Sequence, residues 1–172
     1  MTSRIDGKAI KATMIAAFFA LSLVSAPMVS AKNLKFTSII NIPSPSPDPT
    51  ILWPQARPPD WGGPISGDVN GMNYFWETDA NFVTGAKGGK VEHYFEQFLI
   101  VFSDGGWVQG WDNGIFHFAN KPTEWRYSAE GRVTAASPDR QSLIGSKFHE
   151  DGYVTSPTPD TLLGVAKSWL GS

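Results

Sequence analysis

The sequence predicts an all-β fold, an antiparallel meander closed into a small up-and-down β-barrel. Three consecutive stretches, residues 90–103, 106–118 and 124–134, have strand character and are separated by turn sequences at 103–106 and 120–123. In the third stretch apolar and charged side chains alternate, which is typical of a sheet with one wet face. The chain also has 17 glycines, 13 prolines and 13% aromatic residues, a composition that favours many short strands.

Closure into a barrel is the simplest arrangement for about six such strands, because it leaves no exposed sheet edge. An open two-sheet sandwich is the competing architecture. We place the barrel domain at residues 65–172, after a signal segment at 1–31 and an extended proline-rich arm or linker at 32–64.

The N-terminal residues 1–31 have the organisation of a secretory signal. Arg4, Lys8 and Lys11 precede a mostly apolar run at 14–24, and a small-x-small pattern ends at Ala31. The apolar run is short for a membrane span, so we expect cleavage and a secreted or extracytoplasmic protein without a stable span. An uncleaved segment that attaches the protein to a surface is the alternative. Cleavage removes three of 14 basic and one of 16 acidic residues, and the resulting net charge of −4 argues against a nucleic-acid partner.

The next residues predict a first strand or loose arm at 32–42 and then extended chain. Eight prolines between 43 and 64 fix φ and remove donors, so this part is not expected to pair in the middle of a sheet. Trp53 and Trp61 favour partial packing of the arm. Residues 65–78 predict a glycine-punctuated strand over 67–71 and then an aromatic strand.

After the central meander, the pattern predicts a turn at 135–140, a strand at 141–150, a turn at 151–152 and a short extended piece at 153–155. Residues 160–170 fit both helical and strand spacing. We expect a short C-terminal helix there, behind an Asp160 or Thr161 cap, because the adjacent Leu162 and Leu163 both need cover.

Residues 101–155 contain a succession of short aromatic strands that end in glycine. The segments are 102–107, Gly110-Trp111, Gly114, Trp125 with 129–134, 143–146 and 149–152. In this the chain resembles small secreted calycin-like barrels of the allene oxide cyclase and dirigent type. The resemblance implies a barrel with an apolar interior open at one end, and no catalytic residue of those families is carried over to this chain.

Aromatic side chains of the predicted strands are the candidate ligand-binding residues, since an interior lined by rings can hold one hydrophobic molecule. Trp107, Trp111 and His117 share the odd face of the second central strand, and we expect that face to point inward. The full set of candidates is Trp76, Phe95, Trp107, Trp111, His117, Trp125 and Tyr127. The alternative is that these rings fill the barrel and leave no cavity.

The histidines form no defined catalytic or metal-binding motif. His93 either reaches the interior as a base or, as we favour, lies at the surface. Only His149 and Asp151 could converge with His117 on a metal ion, and turn chemistry is the simpler explanation of residues 150–152. We therefore expect neither a metal nor a cofactor.

No nucleophile elbow or phosphate-binding loop is present, and the absence of cysteine excludes thiolate chemistry. We therefore expect an exported barrel that binds a small hydrophobic molecule. A barrel-type cyclase or isomerase is the enzymatic alternative, and Asp68 and Asp112 are the acid and base that the sequence offers. Exposed Trp53, Trp61 or Trp107 rings on one outer face would instead favour carbohydrate or cell-surface binding.

Overall fold

A computed structural model describes residues 33–42, 44, 54–85, 89–121, 124–157 and 162–171, and it has the predicted antiparallel barrel. Each strand pairs with its neighbour in sequence, and the last strand closes on the first. The eight strands are β1 (Leu34–Ile42), β2 (Trp61–Gly67), β3 (Gly71–Thr84), β4 (Lys90–Phe102), β5 (Trp107–Phe118), β6 (Arg126–Ala136), β7 (Lys147–Pro157) and β8 (Leu162–Gly171).

A short 3₁₀ helix, Pro138–Leu143, lies between β6 and β7. No helix among the described residues has the length and apolar character needed to cross a bilayer. The predicted signal segment at 1–31 lies outside the described residues.

One end of the barrel interior is filled by apolar side chains, which we call the floor. The Phe148 ring lies 4.6 Å from Phe98 and 6.2 Å from Phe75, measured between ring centroids. Other buried members of this cluster are Phe36, Ile65, Ile100, Phe102, Val108, Val133, Leu143 and Leu170. Close packing of these residues seals one end, as in the core of any small barrel.

Glycines in the wall make room for large rings on the adjacent strands. Gly152 of β7 lies opposite Tyr127 of β6, and Gly114 of β5 lies opposite Tyr94 of β4. A Cβ atom would stand 2.1 Å from the Tyr127 Cζ at Gly152, and 2.3 Å from the Tyr94 Cζ at Gly114. Both tyrosine rings therefore lie flat against the neighbouring backbone, which only glycine permits at this distance.

Three of the predicted local structures are wrong. Residues 151–152 lie within β7 and not in a turn. The glycine at 152 is explained by packing, because the Tyr127 ring lies against its backbone. Residues 68–70 form the turn between β2 and β3, where we expected strand, and residues 141–143 end the 3₁₀ helix. In each case the local structure depends on contacts of a glycine or a polar residue with other strands, and the local sequence pattern does not contain these contacts.

The expected C-terminal helix is also wrong, since residues 162–171 form β8. This strand pairs with β1 on one side and with β7 on the other. Its alternate residues Gly164, Ala166, Ser168 and Leu170 are buried. The need to close the barrel gives this segment two hydrogen-bonded partners, which outweighs its helical spacing.

Part of the stretch 32–64 belongs to the barrel, which takes in β1 and the first residues of β2. The β1–β2 pairing passes from Ser38–Ile65 to Asn41–Gly62, so Pro64 is skipped on that side, as its missing N–H requires. Residues 54–60 lie on the outer face of the barrel. There Trp76 Nε1 donates to the Arg57 carbonyl at 2.8 Å. Trp53 lies outside the described residues.

Candidate functional site

Above the floor, the barrel interior contains a cavity of about 170 Å³ that opens at the end of the barrel opposite the floor. The apolar and aromatic part of its wall consists of Ile40, Ile42, Trp61, Phe116, Phe118 and Trp125. The polar part consists of Tyr94, Tyr127, Glu77, Glu92, Glu96 and Glu150, and Gly164 completes the wall.

Aromatic rings from β5 and β6 form one side of this cavity. The Phe116 ring stacks on Tyr127 with centroids 5.7 Å apart and an interplanar angle of 11°. Phe118 and Trp125 meet edge to face at 5.0 Å, and Trp125 Nε1 is satisfied by the Ala119 carbonyl at 2.9 Å. Such packed rings present a rigid apolar surface to the cavity.

Three acidic side chains are buried in the layer between the cavity and the floor. Glu96 of β4, Asp112 of β5 and Glu150 of β7 are 3%, 0% and 4% exposed. They point inward because they share strand parity with core residues such as Phe98 and Phe148. Burying a carboxyl this deeply lowers the stability of the fold unless the carboxyl is protonated or hydrogen-bonded.

Glu96 and Asp112 form a carboxyl pair, since they face each other in the β4–β5 register. Burial raises the pKa of Glu96 well above its ordinary value, and the nearby Asp112 and Glu150 raise it further. Burial also raises the pKa of Asp112, and the nearby Glu150 adds to this rise. Burial and the mutual repulsion of two ionised carboxylates therefore both favour protonation within this pair.

Glu150 is supported by two serines from the strands beside it. The Ser168 hydroxyl donates to Glu150 Oε2 at 3.0 Å and lies 2.9 Å from the Ser38 hydroxyl. Burial raises the pKa of Glu150 to about 7, although the hydrogen bonds of Ser168 and Ser38 act in the opposite direction. This carboxyl therefore exchanges its proton near neutral pH, which is where acid–base catalysts work best.

Two tyrosines lie between the acidic layer and the cavity opening. Burial raises the pKa of Tyr94 and Tyr127 well above the usual value, and the carboxyls nearby add to the effect. Both phenols are therefore neutral at physiological pH. The Tyr127 hydroxyl is buried with no hydrogen-bond partner among the described residues, and the Tyr127 side chain forms part of the cavity wall.

Glu77 and Glu92 line the outer part of the cavity and are half-buried. Burial raises the pKa of Glu77, and the charges of Glu92 and Asp60 add to this rise. Burial also raises the pKa of Glu92, against the favourable charge of Lys90. The wall is therefore acidic from the opening to the base.

Of the seven aromatic and histidine candidates, Trp125 and Tyr127 line the cavity. Phe95 and Trp111 stack on the outer face with centroids 5.8 Å apart, and His117 is exposed there. Trp76 and Trp107 belong to a separate cluster with Tyr74 and Leu99, and Trp76 contacts the segment 54–60 through its hydrogen bond to the Arg57 carbonyl. The predicted orientation of β5 is wrong, because its even residues face inward.

The remaining candidates lie apart from one another. His93 is exposed, as we favoured. His149 contacts Asp151 at 2.7 Å on the outer face, and within the described part of the chain no group of three or more His, Asp or Glu residues is arranged to hold a metal ion. Asp68 lies in the β2–β3 turn, at the end opposite the cavity opening, so it is not near Asp112.

Comparisons with protein-family models, curated proteins and solved structures find no match. The prediction of a small barrel is confirmed, and kinship with the allene oxide cyclase and dirigent type stays a prediction.

Sequence reasoning missed the acidic layer as a unit. Alternation in β4 puts Tyr94 and Glu96 on the face that Phe98 shares, and this signal was available. In β5 the bulky Trp107 and Trp111 suggested the wrong inward face. The signal that could have corrected this is the run of small and apolar even residues, Val108, Gly110, Gly114 and Phe116, which matches a tightly packed interior.

Proposed function

We propose that this barrel binds one small, mainly apolar molecule in its interior cavity. The single observation that supports the proposal is an aromatic-walled cavity of about 170 Å³ above a packed floor. A cavity of about 150 Å³ suffices for benzene in a protein core, so the space suits a molecule with one ring. A few polar groups among apolar walls are typical of sites that orient such a ligand.

The first test is a calorimetric titration of the protein with benzyl alcohol. We expect saturable binding at one site per chain. Phe116→Leu, in the cavity wall, should weaken binding about tenfold, because the ring contributes contact area to a desolvated site. Phe95→Leu is the matched control on the outer face, and it should leave the affinity unchanged. An equal loss in both variants, or no binding at all, would exclude the interior site.

A second candidate function is acid–base catalysis of the cyclase or isomerase type. The observation in its favour is Glu150, a buried carboxyl at the cavity wall that exchanges its proton near pH 7 and is oriented by Ser168. A confined substrate beside such a group needs little further catalytic machinery.

The base-catalysed ring opening of 5-nitrobenzisoxazole tests this second candidate without a known substrate. In this reaction the base removes the C3 proton, the N–O bond breaks and a coloured cyanophenolate is released. We expect a rate that rises with pH through about 7 and is lost in Glu150→Gln. A rate unchanged by Glu150→Gln would rule out this carboxyl as the base.

We also propose that the protein acts outside the cytoplasm, as a secreted or surface-attached barrel. The cationic, apolar and small-residue order of residues 1–31 supports this, as does the resemblance to secreted barrels of the allene oxide cyclase and dirigent type. N-terminal sequencing of the protein recovered from the producing cells tests it. A start at Lys32 in an extracytoplasmic fraction is expected, and an intact Met1 in the cytoplasm would contradict it.

A further inference from the structure

The cavity wall is rich in hydrogen-bond acceptors and poor in positive charge. Four of its described residues are glutamates, and none is lysine, arginine or histidine. Each carboxyl in the cavity is close enough to affect the next. Besides burial, the charge of Glu92 raises the pKa of Glu77, and the charges of Asp112, Glu150 and Glu77 raise the pKa of Glu96. An anion would meet no cationic partner among the described residues of this wall, and the carboxyls that are ionised would repel it.

Two buried polar atoms on the wall have no partner within the described structure. Glu96 Oε2 accepts no hydrogen bond, and the Tyr127 hydroxyl makes none. These residues are 3% and 9% exposed, so water does not readily replace the missing partners. A ligand with several donors would satisfy Glu96 and the ionised form of Glu150 together.

The aromatic side of the cavity also favours positive charge, because the faces of aromatic rings attract cations. The barrel already has one example near the opening. There the Lys90 ammonium lies 3.4 Å from the centroid of Phe82 and 5.6 Å from that of Phe118, which lines the cavity.

We propose that the occupant of the cavity is a small organic cation, a primary amine on a single ring or short alkyl chain, whose ammonium group displaces a carboxyl proton. An ammonium has three donors and no acceptor, which matches a wall of carboxylates better than any neutral group. The inference rests on the proposed binding function and specifies its ligand class.

Proton displacement follows from the state of the acidic layer. Because Glu150 is half-protonated near pH 7 and burial raises the pKa of Glu96 as well, an arriving cation shifts the balance toward the ionised carboxyls and releases a proton. Charged groups of neighbouring elements that act on these carboxyls are Arg57, Asp60, Asp79, Lys90, His149 and Asp151. None of them lines the cavity.

Calorimetry at pH 6 with benzylamine, benzyl alcohol and benzoate tests the inference, because the three probes differ mainly in charge. We expect benzylamine to bind about tenfold more tightly than the alcohol, since hydrogen bonds to charged groups are the stronger ones. Benzoate should not bind. Repeating the benzylamine titration in two buffers with different ionisation enthalpies should reveal proton release, whereas the alcohol should release none.

Glu150→Gln and Glu96→Gln keep the shape of the wall and remove a carboxyl that an ammonium group could hold in its ionised form. Each should weaken benzylamine about tenfold and weaken benzyl alcohol by a much smaller factor. Asp68→Asn is the matched control, since it removes one negative charge at the opposite end of the barrel and retains the oxygen that accepts from the Lys35 N–H. Near-ultraviolet circular dichroism checks that every variant is folded.

The outcomes separate the two proposals. An alcohol that binds as tightly as the amine, or an amine that binds without releasing a proton, overturns the cation inference while small-molecule binding stands. Failure of all three probes to bind removes the proposed function as well. An equal loss of amine affinity in Asp68→Asn would mean that the amine responds to overall charge and not to the cavity, which also overturns the inference.

Discussion

Glu150→Gln is expected to make the barrel more stable at pH 8 and to remove part of its pH dependence. In the folded protein the Glu150 pKa is about 7, compared with an ordinary value of 4.5. A carboxyl with a raised pKa holds its proton more tightly in the folded state. Its contribution to the free energy of unfolding is therefore greatest below pH 4.5 and is lost as the pH rises to 7.

The magnitude follows from this difference. Each pKa unit corresponds to about 1.4 kcal/mol, so between pH 5 and pH 8 Glu150 alone lowers the free energy of unfolding by about 2–3 kcal/mol. Glu96 and Asp112 change stability in the same direction, because burial raises their pKa values too. Glutamine is neutral in both states and can still accept the Ser168 hydrogen bond, so the variant loses the contribution of Glu150 only.

Urea unfolding at pH 5 and pH 8, followed by tryptophan fluorescence, measures the effect. The stability gain of Glu150→Gln over the unmodified protein should be about 2–3 kcal/mol larger at pH 8 than at pH 5. Asp68→Asn changes the net charge by the same amount at an exposed position in the β2–β3 turn, so it is the control that separates the burial of Glu150 from a change in net charge. A gain for Glu150→Gln that is equal at both pH values would refute the assignment of a buried, protonated Glu150.

Three further predictions concern packing. Gly152→Ala should lower stability by about 1–3 kcal/mol in thermal unfolding, because the new methyl would meet the Tyr127 ring at 2.1 Å; Gly164→Ala, with its nearest atom at 3.1 Å, should cost less. Phe148→Ala should cost about 3–5 kcal/mol in urea unfolding through loss of the floor contacts, well above the cost of Phe95→Ala on the exposed outer face. Tyr127→Phe removes a buried hydroxyl that has no partner in the described part of the chain, so it should leave stability unchanged or raise it by about 1 kcal/mol. A clear loss in the same assay would reveal a hydrogen bond to that hydroxyl.

The central strands were predictable because their signals are local. Alternation in β6 places Tyr127, Ala129 and Val133 on the buried face, and the structure confirms it. Turn residues at 103–106 also give a correct boundary between β4 and β5. A sequence reading finds these features because side-chain parity within one strand and turn chemistry depend on neighbours in the chain.

The inward face of β5 could not be decided in the same way. Both of its faces carry aromatic residues, with Trp107 and Trp111 on one and Phe116 and Phe118 on the other. The choice depends on whether Gly110 and Gly114 can accept the rings of Phe98 and Tyr94 from β4, which is a contact between strands. Hydrophobicity alone therefore favoured the larger indoles, which in fact lie outside.

By itself the sequence determined an antiparallel meander with strands of alternating polarity, because strand propensity, parity and turn formation are properties of short segments. Only the tertiary structure decided that residues 162–171 form a strand and that Glu96, Asp112 and Glu150 meet inside. Closure brings Ser38 and Ser168, which are 130 positions apart, into contact at 2.9 Å beside Glu150. The register of eight strands sets which carboxyls share the interior, and burial there sets their protonation, so the chemistry of the site follows from closure of the barrel.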